Sequence, residues 1–85
     1  MRPWVITWGD QSWTEDDLLA GDLATVQALT EGTWVECDPW RGPIELLAYL
    51  AALRARLEGR DAQAVLAELS RTSASILSEA ISERG

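Results

Sequence analysis

Apolar positions along the chain follow two rhythms, one suited to helices and one to strands. The longest helix signal runs Pro43-Ile-Glu-Leu-Leu-Ala-Tyr-Leu-Ala-Ala-Leu-Arg-Ala-Arg-Leu-Glu-Gly59. Leu46, Leu50, Leu53 and Leu57 fall on one stripe at spacings of four, three and four, with Ile44, Leu47 and Ala51 beside them. Pro43 suits the first helical position, where its missing N–H would have had no partner anyway. Gly59 suits the left-handed residue just past a helix end. The pattern predicts a central helix over 44–58, a scaffold for everything shorter.

The strand rhythm belongs to residues 4–14, Trp-Val-Ile-Thr-Trp-Gly-Asp-Gln-Ser-Trp-Thr. β-branched and aromatic residues flank Gly9-Asp10, a pair suited to a two-residue II′ or I′ turn. Such a turn sets Trp8 opposite Gln11, Thr7 opposite Ser12 and Ile6 opposite Trp13. Trp4, Ile6, Trp8 and Trp13 then share one face, because side chains alternate along a strand. Three indoles and an isoleucine on one face must cover something. That is either the helical core beneath or a partner, with Trp4 and Trp8 the partner candidates. An isolated hairpin is marginal in water, so it needs helices under it or another strand at its edge, including one from a second copy of the chain.

Thr14 followed by Glu15, Asp16 and Asp17 reads as a helix start with carboxylates at the positive end of the dipole. The pattern predicts helix over 15–31, with a possible break near Gly21 and Asp22 capping a second segment that carries Leu23, Val26 and Leu29. Gly32 stops it. Residues 32–43 hold two Pro, two Gly and two Trp, so they read as a loop with a turn at Asp38-Pro39. Trp34 and Trp40 can plug the gap between helices or anchor a partner. Asp61 caps a predicted helix over 62–69, and Thr72 or Ser73 starts a last one over 73–82, with Ile76, Leu77, Ala80 and Ile81 as its stripe. The expected fold is mainly α: one domain over 1–85, a small bundle of about four helices with an N-terminal β-hairpin.

Charge narrows the function classes. Fourteen acidic residues stand against seven basic ones, all Arg, for a net charge of −7. Such a surface repels phosphates, so neither nucleic acid nor an anionic membrane is expected as a partner. No run approaches the length of a membrane span, and the Trp-Val-Ile run near the start is too short for a secretory leader. The lone Cys37 fits a reducing compartment, and a cytoplasmic location is expected.

Candidate chemistry is sparse. The chain has no His, which removes the commonest general base and metal ligand. Cys37 has neither a His nor a second Cys to work with. Adjacent carboxylates at 15–17 point in different directions on a helix and suit its dipole better than a metal. The serines at 70, 73, 75, 78 and 82 lack the Asp-Ser-Leu triplet of acyl carriers. The expectation is a non-enzymatic protein with no metal and no cofactor.

The order of signals along nearly the whole chain resembles the small tail-assembly chaperones of long-tailed bacteriophages, particularly those of actinobacterial hosts. The resemblance rests on the Trp-rich start, Trp13-Thr-Glu-Asp-Asp-Leu18, the helix Asp22-Leu-Ala-Thr-Val-Gln-Ala-Leu29 and the Trp34…Cys37-Asp-Pro-Trp40 loop. An Ala/Leu helix and two short helices ending in Ser73…Ile81 complete it. It implies a factor in the cytoplasm of the infected host that binds the tape-measure protein and keeps it soluble during tail assembly. In several members of that family a programmed frameshift makes a longer form. Two other readings stand beside it: a small acidic phage-encoded regulatory or inhibitory binding protein, and a head–tail structural subunit.

Overall fold

A computed structural model describes residues 2–32 and 38–84. Strands β1 (Trp4–Trp8) and β2 (Gln11–Thr14) pair antiparallel around Gly9-Asp10. Trp8 lies opposite Gln11, Thr7 opposite Ser12, Ile6 opposite Trp13 and Val5 opposite Thr14, the register that the two-residue turn dictates. Gly9 takes a φ of 61° while Asp10 keeps a negative one, the glycine-first pattern of a II′ turn. On the outer face the Thr7 and Ser12 hydroxyls hydrogen-bond at 3.0 Å. On the inner face Trp4, Ile6 and Trp13 are buried against the helices.

Thr14 then caps a single 3-10 turn, Glu15–Asp17, through its side chain, and Asp17 Oδ2 accepts from the Thr14 N–H at 2.8 Å. The expected helix does not continue from there. Leu18 and Leu19 are extended, and α1 (Ala20–Thr30) starts after them. Gly21 therefore lies inside α1, and the break falls before it. Asp22 explains the shift: its Oδ2 reaches back to accept from the Leu19 N–H at 2.9 Å, so it caps from within the first turn. Glu31, rather than Gly32, takes the left-handed conformation at the end of α1, with φ 57°.

Helix α2 (Pro43–Glu58) begins on Pro43 and ends where Gly59, at φ 66°, donates its N–H to the Ala55 carbonyl. Leu46, Leu50 and Leu53 are buried, whereas Leu57 and Ile44, placed on or beside the same stripe, are more than half exposed. Ala48, Tyr49, Ala51, Ala52 and Ala55 are buried as well, so the middle of α2 is covered on nearly every side. The sheet covers one side, where Trp4 meets Tyr49 edge-on with ring centroids 6.0 Å apart. Helices α1, α3 (Ala62–Leu69) and α4 (Ala74–Ser78) cover the others. Asp61 and Ser73 cap α3 and α4, accepting from the N–H groups of Ala64 and Ile76.

The expected all-helical end over 73–82 is not formed. Helix α4 stops at Ser78, and β3 (Ile81–Glu83) pairs antiparallel with β1, setting Ile81 opposite Ile6 and Glu83 opposite Trp4. The fold is therefore not mainly α. Among the described residues it combines four helices with a three-stranded antiparallel sheet of order β2-β1-β3. The physical reason is the open edge of β1: its backbone groups need partners, and the β-branched Ile81 supplies a strand to meet them. The Thr7 N–H, for example, donates to the Ala80 carbonyl at 2.7 Å. Among the described residues no helix is long and apolar enough to cross a membrane.

Candidate partner-binding groove

The groove starts in the turn before α2. Asp38 and Pro39 occupy the first two positions of a β-turn closed by the Arg41 N–H on the Asp38 carbonyl at 3.0 Å. Asp38 Oδ1 also accepts from the Trp40 N–H at 3.0 Å, which fixes the start of the Trp40 side chain. Pro39 is fully buried and Trp40 half-buried. A cavity of about 340 Å³ opens beside them, lined by Trp40, Pro43 and Leu46 and by Ala74, Leu77 and Ser78 of α4. Ile81 of β3 also lines it. Its walls are almost wholly apolar.

Two features mark its rim. The Arg2 guanidinium lies over the Trp40 ring, 3.9 Å from its centroid, and donates to Glu83 Oε2 at 3.2 Å. Beside Gly42, which lines the groove, Glu45 Oε1 stands 3.2 Å from where a β-carbon on that glycine would be, so a side chain there would crowd the carboxylate. The Trp40 indole N–H is buried and finds no acceptor among the described residues.

The four tryptophans singled out in the sequence do not share a site. Trp4 is a correction: it is 0% exposed and packs on Tyr49, so it cannot touch a partner. Trp8, half-buried, bounds a separate cleft of about 320 Å³ with Ile76 and Glu79, on the other flank of α4. Trp40 walls the apolar groove. Trp34 lies outside the described residues. Sequence reasoning missed the α4 wall and Ile81, whose roles depend on how the last segment folds back onto β1. The one readable signal was Pro39-Trp40 next to Pro43, three rigid apolar residues placed together.

A third cleft, of about 570 Å³, lies between α1, α2 and α3 and is more polar. Asp22 is buried there; its Oδ1 accepts from Arg56 Nε at 3.1 Å, and Arg56 Nη2 donates to the Asp17 carbonyl at 2.9 Å. That bridge holds the 3-10 turn and α1 onto α2, which accounts for the ion pair structurally. Among the described residues no cluster of three or more His, Cys, Asp or Glu could hold a metal.

Among the described residues two carboxylates are held below their usual range. Glu15 is lowered first by the hydrogen bond from its own backbone N–H, then by that from Trp4 at 3.2 Å, and further by the nearby Arg84 guanidinium. Glu58 is lowered by hydrogen bonds from Arg60 and then Arg54. Glu15 ties β1 to the residue after β3, Glu58 ties the end of α2 to Arg60, and neither lines the groove. Compared with protein-family models, curated proteins and solved structures, the chain matches none.

Proposed function

We propose that this chain is a non-enzymatic assembly chaperone of the phage-tail class, which holds an apolar segment of the tape-measure protein while the tail is built. The observation that carries this reading is the apolar groove walled by Trp40, Leu46, Leu77 and Ile81. A shallow groove with an aromatic wall suits the apolar stripe of a partner helix, whose anchors recur at helical spacing. The acidic surface keeps copies of the chaperone apart while an apolar face stays open. The resemblance of the sequence signals to those of tail-assembly chaperones is what suggests the tape-measure protein as that partner.

Ala74→Arg tests it. Ala74 is exposed and lines the groove, so a long cationic side chain there obstructs the groove without entering the core. On co-expression with a tape-measure protein, the wild-type chain co-purifies and keeps that protein in solution. The Ala74→Arg chain keeps the same melting temperature and loses capture. Equal capture by both chains would remove the groove as the site. A tight complex with a basic enzyme instead, weakening steeply with salt, would favour the inhibitor reading. Recovery of the chain in purified virions would favour the structural subunit.

A further inference from the structure

The rim of the groove already holds a cation, supplied by the chain's own Arg2. Arg2 lies on the Trp40 face at 3.9 Å while its Nη2 meets Glu83 Oε2 at 3.2 Å. Both ion-pair side chains are more than half exposed, and exposed pairs of this kind are weak and screened by salt. An aromatic face beside a carboxylate is a general receptor for a guanidinium, whichever chain provides it.

The surrounding charge favours a cation from outside. Among the described residues Glu45, whose Oε1 stands beside Gly42 of the groove lining, has no arginine partner. Four other arginines are committed elsewhere: Arg54 and Arg60 to Glu58, Arg56 to Asp22, and Arg84 to Glu15 and Asp16. With a net charge of −7, the molecule attracts a basic segment before contact. We propose that Trp40 and Glu83 form a cation slot at the groove rim, occupied by Arg2 in the free protein and taken over by an arginine of the bound partner. This rests on the groove being the docking site. The occupant is a protein helix with an apolar stripe and an arginine near one end. Arg2 acts as an internal stand-in, and binding exchanges one guanidinium for another.

Competition gives the test its signature. Two synthetic amphipathic peptides of roughly 14 residues, three to four turns, carry a leucine stripe and differ in having arginine or glutamine at one end. Each is titrated calorimetrically into the wild-type chain, Arg2→Gln, Ala74→Arg, and the double variant Arg2→Gln/Glu83→Gln. Arg2→Gln binds the arginine peptide about two- to fivefold more tightly than the wild type, and the glutamine peptide no more tightly. Adding Glu83→Gln removes that gain. Matching circular dichroism of wild type and Arg2→Gln excludes unfolding as the cause.

The two readings fail separately. If Ala74→Arg still blocks both peptides but Arg2→Gln leaves the arginine peptide unchanged or weaker, the groove stands and the slot is wrong. If Ala74→Arg blocks neither, the peptides bind elsewhere and the slot falls with the groove. If Arg2→Gln dimerises and binds no peptide, the occupant is a second copy of the chain, which also overturns the proposal.

Discussion

Helices α2 and α4 both draw on Ala, Leu and Ile, yet they end in opposite conditions. Helix α2 buries eight of its residues, whereas α4 buries Leu77 and leaves Ile76, the next residue back, 55% exposed. Propensity does not separate them. What does is position: α2 lies beneath the sheet and against α1, α3 and α4, while α4 lies at the perimeter with a cleft on either flank. A leucine stripe on the central post is used up by the chain's own folding. An apolar residue on a short peripheral helix is left over, and leftover apolar surface beside a groove is where a partner can gain.

The largest break in that comparison comes from α2. Leu50 is fully buried, and Leu50→Ala should cost about 2–5 kcal/mol in urea denaturation, as lost burial plus a cavity. Leu57→Ala, two stripe positions later but 54% exposed, should stay within about 0.5 kcal/mol. Equal losses would mean that the end of α2 is packed by something beyond this chain. The same contrast within α4 is sharper because the residues are neighbours. Leu77→Ala should cost about 2 kcal/mol, at the low end of such changes because a five-residue helix can settle into the space. Ile76→Ser should leave stability unchanged within about 0.5 kcal/mol.

Much of the architecture was legible because local rules and tertiary packing agreed. The Gly9-Asp10 turn set the hairpin register, Pro43 and Gly59 bounded α2, and Asp61 capped α3. The misreadings fall where a long-range partner overrode the local pattern. Ile76, Leu77, Ala80 and Ile81 have helical spacing, but the open edge of β1 draws Ile81 into a strand. Asp22 looked like a cap in front of a helix; it caps from inside because Arg56 of α2 holds its other oxygen. The groove inherits the same limit. Trp40 was visible in the sequence, but its facing wall was not, since that wall exists once the chain's two ends meet across β1 and β3.

Asp22 also yields a middle-sized effect. Asp22→Ala removes the acceptor for the Leu19 N–H and leaves Arg56 without its carboxylate, so it should cost about 1–3 kcal/mol. Amide exchange should rise first at Leu19 and in the first turn of α1, with the middle of α2 protected. Uniform exchange across α1 and α2 would show that the bridge holds the whole bundle rather than one junction.

The smallest effect separates the two regions by pH. Glu15 ties the ribbon to the residue after β3, accepting from the Trp4 N–H and pairing with Arg84. Glu58 ties the end of α2 to Arg54 and Arg60. Both carboxyls titrate below their ordinary value of 4.5 in the folded chain. Between the folded and unfolded values the unfolded chain binds more protons, so stability rises with pH across that window. The contribution is complete above the ordinary carboxylate value and is lost as pH falls through the lower, folded one. A Glu15→Gln chain should therefore show a melting temperature that falls less steeply on acidification than that of the wild type. At neutral pH it should exchange amides faster at Val5 and Ser82, with α2 unchanged. Glu58→Gln should also flatten the acid profile while leaving β3 protected. If Glu15→Gln loosens α2 as much as β3, the chain's ends and its central post form one cooperative unit, and the perimeter around α4 is no easier to open than the core.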